Sequence, residues 1–196
     1  MSGQGHMIDT ILEEIKLQSA LKLRRVLLIE EFTRESCYKV TYLINKIVDM
    51  DNTINLPMED RKITIDISSY GGCVFSCLSL IGLIESLKEQ GYTIITHINS
   101  IAMSAGFFLS IVGSHRTINR HGVGLIHPMI SGTQGSLQAM IDDIEFDKVL
   151  WEKIVEITLK YTKFTREELD DIKRCKTDKY MTSQEMLIKG CVDEVI

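Results

Sequence analysis

Proline is scarce in this sequence, with two residues in 196, Pro57 and Pro128. The chain has no apolar stretch of about 18 residues, no run of lysine or arginine, and no G-x-x-x-x-G-K-[ST] phosphate loop. Each absence excludes something. The lack of proline argues against a disordered chain and an all-β sandwich. The lack of a long apolar run excludes a transmembrane helix, and no charged segment followed by an apolar one marks a signal peptide. A formal charge of −5 offers no basic surface for nucleic acid or for an anionic membrane. Without a phosphate loop, any use of ATP must belong to a partner. Five cysteines are an odd number; none forms a C-x-x-C pair and none has a histidine at ligand spacing. Neither a disulfide framework nor a metal site is expected, only reduced, buried or half-buried thiols in a cytoplasmic protein. No cofactor is implied.

What is present is an ordinary globular composition, 44% hydrophobic and 25% charged, in a chain long enough for one domain with its own core. Gly5-His6-Met7 reads as a tag remnant, so residues 1–7 are set apart and residues 8–196 are read as a single domain. Ile8, Ile11, Leu12, Ile15 and Leu23 predict a helix from Ile8 to about Arg24. Val26–Ile29 reads as a short buried strand. Val40, Leu43, Ile44, Ile47 and Val48 lie on one face of a helix over Cys37–Met50, and Asp51–Lys62 reads as a loop. The strand Ile63–Ile67 stops at Ser68-Ser69-Tyr70-Gly71-Gly72 and is followed by a helix that Gly91 closes. A strand over Thr93–Ile98 leads through Asn99–Met103 into an apolar helix, Ser104–Val112. Strand-like pieces follow at Arg116–Ile118 and Val123–Ile126. A long helix is predicted over residues 137–161. T-x-x-E capping boxes at Thr165–Glu168 and Thr182–Glu185 start two short helices, and Val192–Ile196 closes the chain as a strand. Strands alternating with helices predict an α/β fold of repeated βα units around a mainly parallel sheet, with one long, protruding helix.

Ligand sites in such sheets lie beyond the carboxyl ends of the strands, and two strand-to-helix turns sit there. Gly71-Gly72 lets a backbone without Cβ approach a substrate and aim N–H groups at it. Ser104 stands at the tight start of an apolar helix, where free N–H groups favour a developing oxyanion. Taken singly, each has a plain structural role: a turn for the glycines, an N-cap for Ser104, a strand-end histidine for His127, a solvated carboxylate for Asp178.

Together they form a set. The segments SSYGGCVFSCLSLIGLIESL, IAMSAGFFLSIVG, LIHPMISGTQGSL and TDKYMTSQEMLIKGCVDEVI resemble, in order and with similar spacing, the Clp protease proteolytic subunit family. The resemblance spans roughly Leu21 to Ile196. It implies the crotonase-like sheet-and-helix plan of that family, with the long helix as its handle. It also implies a serine endopeptidase in which Ser104 is the nucleophile, His127 the general base and Asp178 the carboxylate that orients the imidazole, as a buried anion. The oxyanion donors would be the N–H groups of Gly72 and Ala105. Gly71, Gly72 and Cys73 on one side, and Ile130, Ser131 and Gly132 on the other, would pair with an extended substrate chain. The partners implied are other copies of the chain in two stacked seven-membered rings, an AAA+ unfoldase of the Clp type, and unfolded polypeptides. The handle, through Ile141, Ile144, Val149, Trp151, Ile154, Val155 and Ile157, would interlock the rings.

The chain departs from the family pattern in places, as a divergent member, cellular or virus-encoded, would. Tyr70 replaces a usual proline, Pro128 follows the histidine in place of glutamine, and the family's axial segment has no counterpart before Ile8. About two extra residues precede Asp178, which leaves Asp170 and Asp171 as rival carboxylates. Other functions stay open on the residues alone. An α/β-hydrolase esterase would need glycine at Ala102 and an acid ahead of its histidine. A crotonase-type acyl-CoA enzyme would need a glutamate that the stretch from Gln90 to Ile144 lacks. A non-cutting ring subunit would have lost a triad residue.

Overall fold

The computed structural model describes the backbone of residues 2–28, 30–132 and 134–196, and the side chains of residue 12, 14–28, 30–132 and 134–196. The side chains of the expected tag remnant, and of Ile8, Ile11 and Ile29, lie outside these residues. In order, the chain forms α1 (Ser2–Leu23), β1 (Arg25–Leu28), α2 (Arg34–Thr53), a 3-10 turn at Met58–Asp60, β2 (Lys62–Ser69), α3 (Val74–Glu89), β3 (Thr93–Met103), α4 (Ala105–Ser110), β4 (His115–Ile118), β5 (Val123–Ile126), α5 (Leu137–Tyr161), α6 (Arg166–Cys175), β6 (Lys179–Thr182), α7 (Ser183–Ile188) and β7 (Glu194–Val195).

The α/β plan with a mainly parallel sheet is present. The seven strands form one sheet with the path β1-β2-β3-β4-β7, and β5 branches from β3 to carry β6. All pairings are parallel except β5 with β6. The branch arises because β3 is far longer than its apolar core suggests. Its first part pairs with β4 over Ile95–Ile98, and its last part pairs with β5 over Ile101–Met103. Asn99 and Ser100 interrupt the apolar pattern and make this stretch read as a connection, yet the backbone stays extended through them. The exposed Ser100 meets Ser68 of β2 at 2.6 Å between hydroxyls.

One face of the central strands is apolar and closed. Ile63, Ile65, Ile67, Ile94 and Ile98 are all at most 1% exposed and pack with Leu80, Ile81 and Ile84 of α3. The other face carries a polar row: Asp66 opposes His97, and His97 opposes Thr117 across the strands. His97 Nδ1 lies 2.8 Å from Thr117 Oγ1, and the Arg25 guanidinium pairs with Asp66. Burial holds the His97 imidazole below its ordinary pKa. A second ion pair with a buried carboxylate joins Arg24 to Asp51, which is 0% exposed, and so ties the turn after α1 to α2.

Both expected capping boxes, Thr165 with Glu168 and Thr182 with Glu185, are formed. A third, Thr33 with Ser36, starts α2 earlier than expected; its partner is serine instead of glutamate or glutamine, so the usual pattern misses it. The long helix has its expected bounds but two environments. Leu150, Trp151, Ile154 and Val155 are buried in the chain's own core. Leu137, Ile141, Ile144, Phe146 and Val149 stay exposed. The expectation that Trp151, Ile154 and Val155 belong to an oligomer face is therefore corrected. Of the thiols, Cys37, Cys77 and Cys191 are buried, whereas Cys73 and Cys175 are exposed. No helix among the described residues is long and apolar enough to cross a membrane.

Candidate active site

Ser104 sits where β3 turns into α4, with φ 53° and ψ −119°. A side chain other than glycine pays about 1–3 kcal/mol for such a backbone, so surrounding structure must hold it there. That structure is visible. The Ser104 N–H donates to Leu125 O at 2.9 Å, and its carbonyl accepts from the Phe108 N–H at 3.2 Å. Ser104 occupies the N-cap position of α4, yet its hydroxyl makes no capping bond. The plain reading of this serine as a cap fails, and its oxygen remains available on the cavity wall. The helix behind it has six residues, shorter than expected. Its contribution is the free N–H groups of a first turn more than a long dipole.

The two glycines do different jobs. Gly71, at φ 107°, is buried against the serine: a Cβ there would lie 2.7 Å from Ser104 Cβ and 2.8 Å from Met103 O. Gly72, at φ 136°, abuts Phe32, with which it forms a parallel bridge. Phe32 N–H donates to Gly71 O, and Cys73 N–H donates to Phe32 O, each at 2.7 Å. The Gly71 N–H donates to Ser69 Oγ at 3.1 Å. Of the three residues expected to pair with a substrate on this side, the Gly71 carbonyl and the Gly71 and Cys73 N–H groups are thus committed within the chain. Gly72 is exposed and makes no hydrogen bond among the described residues. Ala105, as the first residue of α4, has an N–H without a helical acceptor and lines the same cavity.

His127 follows β5 directly. Because Met103 pairs with Leu125, the ends of β3 and β5 lie side by side and bring Ser104 and His127 to one cavity. His127 Nδ1 is 2.6 Å from Pro128 O. A carbonyl can only accept, so Nδ1 carries the proton and Nε2 of the neutral ring keeps its lone pair, the tautomer a general base needs. Pro128 therefore acts through its carbonyl on the ring that precedes it. The other described histidines lie elsewhere: His97 within the sheet, His115 beside Asp193 and Glu194, and His121 in an exposed turn.

Asp178 reaches the site through β6, a strand the sequence pattern does not announce. Ile126 pairs with Lys179 in the antiparallel β5–β6 ladder, so the next positions along that register are His127 and Asp178. The two rivals are engaged elsewhere: Asp170 pairs with Arg166 at 2.9 Å, and Asp171 with Arg174 at 2.6 Å, both within α6. Asp178 is exposed, not the buried anion expected, and it makes no ion pair or hydrogen bond to His127. Nor is there a hydrogen bond between Ser104 and His127 among those described. The strands bring the three side chains to one end of the sheet branch without closing the chain of contacts between them.

The cavity between these elements measures about 680 Å³. Gly72, Cys73, Ser104, Ala105 and His127 line one side; Ile130, Ser131 and Gly132 line the other. All three of the latter are exposed, Ile130 at 89%. The Ser131 hydroxyl donates to Asp147 of α5. Phe32, Phe75, Phe146 and Leu150, which sequence reasoning overlooked, support or line the cavity, and Ile154 lines it as well. Phe32 builds the glycine turn, and Phe75 stacks on Phe146 with ring centroids 6.0 Å apart and planes 14° off parallel. Phe146, Leu150 and Ile154 carry a helical spacing that was legible, but only as a helix face. The Cys73 thiol is shifted below its ordinary pKa, chiefly by the Ser76 N–H. No group of three His, Cys, Asp or Glu side chains among the described residues could hold a metal ion.

A family model described as Clp protease matches residues 13–196. The match takes in β1 through β7 and every residue of the cavity just described. With the branched parallel sheet, the strained serine and the glycine turn against it, this places the chain in the Clp protease family, whose members are serine peptidases.

Proposed function

We propose that the chain is the proteolytic subunit of a self-associating chamber, and that it cuts unfolded polypeptides through an acyl-enzyme at Ser104. The observation that carries this is the serine itself. It is held at a strained backbone, excused from capping and set in one cavity with a histidine whose Nε2 is free.

In this mechanism Ser104 Oγ attacks the scissile carbonyl while His127 Nε2 takes its proton. The Gly72 and Ala105 N–H groups receive the oxyanion. His127 returns the proton to the leaving amine, and water then repeats the sequence on the ester. Asp178 approaches the imidazole from the neighbouring strand and stabilises the imidazolium; the Pro128 carbonyl holds the tautomer until it does. The substrate enters as an extended strand, using the free Gly72 groups on one side and the loop 130–132 on the other.

The exposed apolar half of α5 supports self-association. Leu137 is 76% exposed and Ile144 and Val149 are each 52% exposed, more exposed apolar surface on one half of a helix than a monomer needs. Two heptameric rings, fed with unfolded chains by an AAA+ partner, are the assembly this reading implies.

A fluorophosphonate probe tests the chemistry. It is expected to label Ser104 alone, and Ser104→Ala is expected to lower peptidase turnover by about 10⁴- to 10⁶-fold. Label mapped to another serine, or none, rejects the reading in favour of a non-cutting ring subunit. Light scattering tests the assembly: the expected mass is fourteen times the 22.3 kDa chain, and a monomer at working concentration rejects it.

A further inference from the structure

α5 contributes a wall of the cavity that Ser104 also lines, and this wall is not uniformly apolar. Asp143, Phe146, Asp147, Leu150 and Ile154 all line it. Their spacing places them on one helix face, two carboxylates toward the N-terminal end and aliphatic side chains deeper in the chain's core. Leu150 and Ile154 are buried, Asp147 is half-buried and Asp143 is exposed. Across from them Phe75 stacks on Phe146 and extends the apolar surface. No lysine or arginine lines the cavity. Arg34 acts on the Cys73 thiol but is not among the lining residues.

We infer that this cavity receives a lysine or arginine side chain next to the scissile bond, with Asp147 and Asp143 as the residues that set the preference. The inference rests on the peptidase reading of Ser104. The arrangement matches such a side chain along its length. An alkyl stem lies against Phe75, Phe146 and Leu150, and its cationic tip reaches the carboxylates at the wetter end. Asp147 is held in place for this: Ser131 Oγ–H donates to its Oδ2, while Oδ1 makes no hydrogen bond among the described residues. Because Ser131 belongs to the loop that flanks the substrate, the same bond sets the carboxylate's position relative to a bound peptide backbone. An acidic side chain would meet two like charges in the same space and be turned away.

Two peptidyl diphenyl phosphonates, identical except for lysine or norleucine beside the phosphorus, measure the preference on the assembled protein. Norleucine keeps the stem and removes the charge. The lysine probe is expected to label Ser104 about tenfold faster or more, the scale of one charge-assisted hydrogen bond. In the Asp143→Asn, Asp147→Asn double variant the lysine-to-norleucine ratio is expected to fall toward one. A purely structural role for Asp147 would slow both probes alike and leave the ratio, and that result overturns the inference. A wild-type ratio at or below one overturns it too. So does failure of both peptidyl probes while a small fluorophosphonate still labels Ser104, an outcome that leaves the peptidase reading standing. Failure of the fluorophosphonate as well removes both.

Discussion

The two sides of the cleft are built by different means. On the Ser104 side the chain itself fixes the nucleophile's backbone and leaves the Gly72 and Ala105 N–H groups open to the cavity. Gly71 is wedged against the serine, Phe32 bridges the glycine turn, and Leu125 accepts the serine N–H. On the opposite side Ile130, Ser131 and Gly132 are exposed, Asp178 is exposed and unpaired with His127, and the first half of α5 presents apolar side chains to water. A single subunit therefore preforms the nucleophile but not the whole constellation. Strain at Ser104 can be held only by a packed core, whereas the exposed loop is tied to α5 by the Ser131–Asp147 bond and Asp178 only follows the end of a paired strand. In the proposed assembly, packing along α5 would supply what the open side lacks.

The sharpest way to break this contrast is at Asp178. Asp178→Asn is expected to leave the fold intact and lower turnover by up to about 10⁴-fold. Asp171→Asn, which removes only a partner of Arg174, is expected to stay near wild type. If peptidase assays give the reverse, the β5–β6 register does not select the carboxylate.

Away from the cleft, at the other end of the strands, Arg24→Met strands Asp51, which is fully buried, beside an arginine site only 20% exposed. Urea unfolding is expected to show a loss of about 3 kcal/mol, since removing one partner leaves a buried charge uncompensated. A loss under about 1 kcal/mol would mean that water reaches Asp51 easily.

Two glycines test the same contrast directly. In Gly71→Ala the new Cβ collides with Ser104 Cβ and Met103 O, and kcat/KM is expected to fall by about 10²-fold as the nucleophile moves. In Gly132→Ala the new Cβ meets nothing within 4 Å, and the loss is expected to be much smaller. Equal losses in the two variants would erase the distinction between a preformed and a yielding side.

Thiol chemistry gives a gentler probe. Cys73, exposed on the rim and lowered by the Ser76 N–H, is expected to alkylate well before Cys37 and Cys77, which burial raises. Peptide mapping after brief iodoacetamide treatment reads the order.

The smallest effect belongs to His97. Burial depresses its folded pKa below the ordinary value near 6.5, so the unfolded chain takes up the proton first. The protein is then unaffected above that value and loses stability as the pH falls from it through the folded pKa. Chemical denaturation across this range, from neutral to mildly acidic pH, is expected to show this slope, reduced in His97→Asn. An identical slope in the variant would assign the dependence to other groups.

Most of the fold was legible wherever one residue pattern decides an element. The apolar runs of β1 and β2, the capping boxes of α6 and α7, and the length of α5 depend on near neighbours alone. Misreadings fell where a distant partner decides. Asn99 and Ser100 look like a break, but β4 and β5 pair on either side of them and keep β3 extended. Lys179–Thr182 looks like a lead-in to α7 until β5 supplies its ladder. Val149 and Trp151 both belong to the apolar pattern of α5, and only packing separates the exposed valine from the buried tryptophan.

The amino-acid order by itself determined the α/β alternation, the glycine turn, the serine at a helix start and the histidine after a strand. These are local consequences of side-chain shape and hydrophobic spacing. Only the tertiary structure decided that Ser104 is strained and does not cap its helix, that Pro128 sets the tautomer of His127, and that Asp178 stands next to His127 in register without touching it. The first and last depend on groups brought together from separate strands, and the second on a backbone conformation at the end of β5; residue spacing encodes neither.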